Sequence, residues 1–251
     1  MELCTRYRAC LLGGAVGDAL GASVEFLSLG EIRATFGPGG IREYTSAYGR
    51  IGAITDDTQM TIFTAEGLLR AHNRSVHKGI CHTPTVVYHA YLRWLETQGE
   101  MPAYPFPDVR GGWLLGLPEL HSRRAPGKTC LAALRGGRAG ELARPINTSK
   151  GCGGVMRAAP VGLAVHSSIA EAFTLGCEVA ALTHGHPSGY LAAGVLAAII
   201  AAIVAGQSLP EALAAARALL LAQPNHRECL SALDAALTLS REAPATPETI
   251  A

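Results

Sequence analysis

The sequence predicts an all-α single domain with long, site-forming loops. Three observations carry this: repeated helix-start signals, apolar residues spaced at the helical period, and a near absence of strand signals. Helical spacing covers residues 5 to 17, 58 to 72, 84 to 98 and 153 to 166, and Val87, Tyr91, Trp94 and Leu95 share one side of the third segment. From residue 168 onward the punctuation is regular. Ser168 stands three before Glu171, Ser208 three before Glu211 and Asn225 three before Glu228, each opening an apolar run as a capping box or its Asn variant would. Pro210 falls in a first turn, where its missing N–H costs nothing, whereas Pro224 and the Gly185/Pro187 pair mark breaks. With the segment Pro187 to Gly206 included, four helices fill the C-terminal third. Thr246, Pro247 and Glu248 read as N-cap, N1 and first-turn acid of a further helix, a few residues before Ala251.

Two segments imitate targeting signals. Arg6 and Arg8 precede the apolar run Ala9 to Val16, but Asp18 and Glu25 follow with no small-x-small cleavage site, which argues against a secretory leader. The uncharged run Tyr190 to Gly206 is long enough to approach a membrane span, yet its bulk is Ala and Gly without aromatic or basic anchors. The expectation is a central helix of a soluble bundle, with no membrane partner.

Hydrophobic residues make up 49% of the 251 positions and charged residues 16%, so the chain can bury a sizeable core and is not intrinsically disordered. Twenty-one basic against twenty acidic residues leave a net charge of +1, which supplies no footprint for a nucleic-acid partner. The seven cysteines are odd in number and never spaced C-x-x-C, so the expectation is a reducing, cytoplasmic setting without a disulfide framework or zinc knuckle.

Gly- and Pro-rich connections at 28 to 55, 99 to 112 and 136 to 154 are long for linkers and read as loops around a shared cleft. Thr55-Asp56-Asp57-Thr58, just before a helical run, offers several hard oxygens to Mg²⁺. The same residues also suit a helix N-cap and its dipole, so locally both readings stand. Gly13 to Gly21 has the wrong spacing for a dinucleotide fingerprint and no preceding strand, but Asp18 and Glu25 in so apolar a stretch call for partners or a metal. Asn147 to Arg157 runs glycines and small hydroxyl residues into a helical stretch, which suits either a plain turn or a phosphate-binding loop. Cys152 within it has no base nearby in sequence and reads as a packing residue. The pair His184 and His186 is weak evidence for a metal, and a histidine donating to a substrate oxygen is as good a reading.

Taken in order, GGAVGDALGASVEF (13 to 26), TDDTQMTIFTAEGLL (55 to 69), SKGCGGVMRAAPVGL (149 to 163) and ALTHGHPSGYLAAG (181 to 194) resemble the ADP-ribosylglycohydrolase family. The resemblance implies a compact orthogonal multi-helix fold and hydrolytic removal of ADP-ribose from a modified protein or small molecule. Nucleic acid would enter only as an ADP-ribosylated substrate. It further implies two Mg²⁺ or Mn²⁺ ions, with Thr55, Asp56 and Asp57 as N-terminal metal ligands, and it gives Asp56 a share in catalysis. Glu25 matches the acid near the reacting ribose, which orients or deprotonates the attacking water; attack at the anomeric carbon proceeds through an oxocarbenium-like state. Ser149, Gly151, Cys152, Gly153, Gly154 and Met156 match the segment approaching ribose and phosphates, and His184 matches a substrate-facing histidine.

One departure is consequential. The family's second metal motif, an Asp-x-Asp near its C-terminus, occurs nowhere in the 251 residues. Two readings follow: a truncated member or fragment, with a C-terminally incomplete domain over 1–251, or a natural short form with altered metal binding. The expectation is weaker metal binding with as few as one ion, exposed apolar surface and a tendency to associate. A non-catalytic ADP-ribose-binding or interaction protein is the competing function.

Overall fold

A computed structural model describes residues 2–104, 111–242 and 246–247. Among the described residues ten α-helices follow one another: α1 (Leu3–Gly21), α2 (Leu29–Phe36), α3 (Asp56–Lys78), α4 (Thr83–Thr97), α5 (Lys128–Arg135), α6 (Ala159–Ala164), α7 (Ile169–Ala181), α8 (Pro187–Val204), α9 (Leu209–Leu221) and α10 (Arg227–Glu242). Strand structure among the described residues amounts to one antiparallel hairpin, β1 (Ser46–Ala47) with β2 (Arg50–Ile51). The all-α expectation holds.

The Ala- and Gly-rich segment forms α8, which packs against α6, α7, α9 and α10. By length and composition it is apolar enough to cross a membrane, with mean hydropathy 2.0, but Leu191, Ala193, Ala197, Ala198, Ala201 and Ala202 are buried within the protein. Small residues permit this close crossing. A Cβ on Gly176 of α7 would sit 2.8 Å from the Ala197 Cβ and 2.9 Å from the Ala193 carbonyl. The principal core lies between α3 and α4, around Met60, Phe63, Tyr91, Trp94 and Leu95, and extends to Leu131 and Leu134 of α5 and Val179 of α7. Glu66 and Arg93, both fully buried, pair across α3 and α4 at 2.6 Å, and Glu66 also accepts from Leu114 N at 3.3 Å. All seven cysteines are free thiols.

Several boundaries differ from expectation. Residues 28 to 55 are not all loop, because Ser28 and Glu31 form a full capping box that starts α2. The segment 153 to 166 is not one helix: a 3-10 turn at Cys152–Gly154 precedes α6, and Pro160 sits in the first turn of α6. Ser168 caps α7 by accepting from Glu171 N at 3.3 Å, and Ser208 N and Oγ both donate to Glu211 at the start of α9. Asn225 does not cap α10. It adopts a left-handed φ of 58°, and Glu228 pairs instead with Lys150 at 2.8 Å. Pro247 is helical, but Glu248 lies outside the described residues, as do positions 105–110 of the connection at 99 to 112.

Candidate active site

The start of α3 is held from α1. Asp18 Oδ1 and Oδ2 lie 3.1 and 2.9 Å from Thr55 N; Oδ1 accepts from Thr55 Oγ1 at 2.7 Å, and Oδ2 from Thr58 N at 3.1 Å and Thr58 Oγ1 at 2.5 Å. One carboxylate therefore satisfies orphan donors that a helix N-terminus leaves open. Thr55 is itself the N-cap and accepts from Asp57 N at 3.3 Å. The cap reading is correct, and it leaves the two carboxylates free to turn different ways. Asp56, 3% exposed, accepts from Gly127 N at 2.9 Å, while Asp57 is exposed.

Glu25, exposed in the turn after α1, feels the charges of both Asp57 and Asp18. Burial first, and those charges second, raise its carboxyl above the usual range. Burial pushes the Asp56 carboxyl up to about 7, opposed by the Gly127 N–H and reinforced by Asp57 and Glu25. Asp57 is raised in the same direction by partial desolvation and by Asp18. Tyr48, at a positive φ of 51° in the tight β1–β2 turn, borders the same cluster, its hydroxyl raised by burial and by Glu25, Asp56 and Asp18. Sequence reasoning did not find Tyr48, since nothing in Ala-Tyr-Gly announces a site.

The loop before α6 meets this cluster from the other side. Thr61 Oγ1 of α3 donates to the Met156 carbonyl at 3.1 Å, and half-buried Met156 packs its side chain on the principal core. Cys152 is exposed, and desolvation together with the charges of Asp57, Asp56 and Glu25 raises its thiol pKa. It is therefore held as a thiol, unsuited to act as a nucleophile. Gly153 is a true close approach: a Cβ there would lie 2.8 Å from both Cys130 Sγ and His184 Cε1. Gly154 is buried beside it, and Gly151 is exposed with its N–H on Ser149 Oγ at 3.3 Å. Half-buried Ser149 also shares a hydrogen bond with Thr129 at 3.1 Å.

Asn147 fastens this loop to the α7–α8 junction. Its Oδ1 accepts from Ser149 N and Gly185 N, each at 3.0 Å, and its Nδ2 donates to the Thr183 carbonyl at 2.7 Å. That bracket places His184, 1% exposed, against the glycines, and burial with the Arg157 charge pushes its pKa down to about 4. His186 does something else: it caps α8, its Nδ1 accepting from Ser188 N at 3.1 Å. The two histidines do not form a metal pair. The sequence marked Asp18 as a carboxylate in need of partners, and the structure supplies them in Thr55 and Thr58. Asn147, Arg157 and Thr183 were not marked as site residues, although a lone Arg157 after a glycine loop was a legible signal.

All four sequence segments thus converge: Asp18 holds Thr55 and Thr58, Asp56 meets Gly127, and Gly153 packs on Cys130 and His184. The sequence model of ADP-ribosylglycohydrolases matches residues 1–251. The chain belongs to the ADP-ribosylglycohydrolase family. It is 28% identical over 210 residues to the ADP-ribosyl-[dinitrogen reductase] glycohydrolase of Rhodospirillum rubrum, covering 81% of this chain and 60% of that protein. An uncharacterized protein of Archaeoglobus fulgidus is 32% identical over 167 residues, covering 65% of this chain and 44% of its own length. The chain thus spans about half the length of these curated relatives.

Proposed function

We propose that this ADP-ribosylglycohydrolase family member hydrolyses the bond between the ribose anomeric carbon and the group carrying ADP-ribose. The observation that supports this most is the meeting of Glu25, Asp56 and Asp57 with the 151–154 loop and His184 across one site. The relative named as a glycohydrolase supports the same reaction class.

Glu25, its basicity raised by burial and neighbouring acids, orients a water and takes its proton as the water attacks the anomeric carbon. The leaving group departs with the bonding pair, and water supplies the oxygen and the proton that complete hydrolysis. His184, neutral at physiological pH, hydrogen-bonds an oxygen of the ligand beside the glycine loop, whose bare backbone admits the sugar-phosphate closely.

The donor set of hydroxyl and carboxylate oxygens suits a hard cation. Burial first, and neighbouring carboxylates second, raise the pKa of Asp56 and of Asp57, so a divalent ion would offset both the desolvation and the repulsion. Among the described residues, however, no three His, Cys, Asp or Glu side chains form a metal-holding group. Thr55, Asp56 and Asp57 supply the hard oxygens that would hold a Mg²⁺ or Mn²⁺ ion keeping several of its waters. Such an ion, when bound, supplies positive charge that lowers the cost of ionising water and holds hydroxyl oxygens.

The test is release of ADP-ribose from ADP-ribosylated protein by the 251-residue chain, with Mg²⁺, with EDTA, and in Asp56→Ala. Expected is Mg²⁺-dependent release that falls at least a hundredfold in the variant. Failure of the folded wild-type chain to release ADP-ribose would refute hydrolysis, and retained ADP-ribose binding would then favour the non-catalytic reading.

A further inference from the structure

Among the described residues, Arg157 is a buried cation without an acidic partner. It is fully buried, and among the described residues no salt bridge includes it. Its Nη2 donates to Thr183 Oγ1 at 2.6 Å and reaches the Val179 carbonyl at 3.5 Å, while its guanidinium lies 4.2 Å over the Tyr91 ring. Nη1 donates to sulfur, Met60 at 3.4 Å and Cys130 at 3.5 Å. Cation–π contact and weak sulfur acceptors offset only part of the cost of burying such a charge.

A guanidinium can only donate, so Thr183 Oγ1 must accept from Arg157. The same oxygen lies 2.8 Å from His184 Nδ1. The single Thr183 proton has two neighbours to go to, that nitrogen and the Cys130 sulfur. Burial keeps Cys130 a thiol, and a thiol sulfur accepts weakly, so the imidazole nitrogen receives the proton. Nδ1 is then unprotonated, and in a neutral ring Nε2 carries the hydrogen. The lowered pKa of His184 is consistent with a neutral ring. Nε2 faces the glycine loop, where a Cβ on Gly153 would lie 3.1 Å away and one on Gly151 3.3 Å.

We propose that Arg157 and Thr183 are positioning residues that lock His184 as its neutral Nε2–H tautomer, so that one fixed donor faces a ligand oxygen at the 151–153 loop. The lock itself is a property of the free chain; that the oxygen belongs to ADP-ribose rests on the function proposed above. Arg157 sets the direction of the Thr183 hydroxyl, and the hydroxyl sets the ring.

Nitrogen NMR of the full chain labelled with ¹⁵N-histidine tests it at pH 7, with His184→Gln assigning the signal. Expected in the wild type is an imine-type Nδ1 and a protonated Nε2. Thr183→Val should give a mixture of tautomers and bind ADP-ribose about tenfold more weakly, and Thr183→Ser should restore both within twofold. An Nδ1–H tautomer in the wild-type chain would overturn the proposal without any variant. So would Thr183→Val, folded by circular dichroism, with tautomer and affinity unchanged. The expected wild-type tautomer in a chain that does not bind ADP-ribose would remove the functional reading while leaving the lock in place.

Discussion

Asp56 and His184 titrate in opposite directions from their ordinary values, and each gives the protein a pH dependence of a defined sign. The Asp56 pKa rises from 3.8 to about 7, so its contribution to stability is full below the unfolded value and is lost as pH rises through the folded one. Without divalent ions the midpoint of thermal unfolding should fall between pH 5 and pH 8, and Asp56→Asn should flatten that fall. Mg²⁺ should raise the midpoint at pH 8 in the wild type by a few degrees and leave the variant unmoved; an equal rise in both would sink the assignment of Asp56 to a cation. His184 drops from 6.5 to about 4, so its contribution is present above 6.5 and is lost as pH falls toward 4. Denaturant unfolding at pH 7 and pH 5 should show about 2 kcal/mol of acid sensitivity that His184→Gln lacks. Of these residues the sequence pointed to Asp56 and His184 by motif and position. It gave no sign of their electrostatics, because a pKa follows from neighbours distant in the chain.

At the level of elements, the fold depends on two tight junctions. The first is the crossing of α7 and α8, where Gly176 leaves no room for a side chain against Ala193 and Ala197. Gly176→Val should cost about 1–3 kcal/mol by overpacking, read as a lowered denaturation midpoint, and a neutral result would mean the helices slide apart freely. The second is Asp18 at the start of α3. Asp18→Ala removes the acceptor of four donor groups, and a loss of about 2 kcal/mol is expected, the upper end for a helix cap. Helices with long apolar periods, α3 and α4, were legible from sequence to within a few residues at their starts. Ser168 and Ser208 were legible as caps for the same local reason. Two short helices were not. Eight residues give barely two turns of periodicity, so α2 passed as loop despite its Ser28–Glu31 signal, and α5 after Gly127 has no side-chain cap. Asn225 misled because its left-handed backbone, set by the turn it occupies, removes it from the N-cap position.

Across the whole molecule, large apolar side chains are exposed at several places, among them α1 and the turn that follows it. Leu12 is 62% and Val16 52% exposed, one helical turn apart, and Phe26 is 76% exposed. Such a stripe favours association. Sedimentation at tens of micromolar should show concentration-dependent species, which Leu12→Glu with Val16→Glu should shift to monomer; a monodisperse wild-type monomer would contradict this. The sequence by itself determined the all-α class, the family and the four segments that meet at the candidate site, since periodicity, caps and ordered motifs are local properties of the chain. Only the tertiary structure decided which groups in those segments meet. Asp18 grips α3 from 37 residues away, Asn147 joins two loops, and Arg157 reaches His184 through Thr183. The physical reason is that hydrogen-bond direction and desolvation depend on contacts between distant residues, which no local pattern encodes.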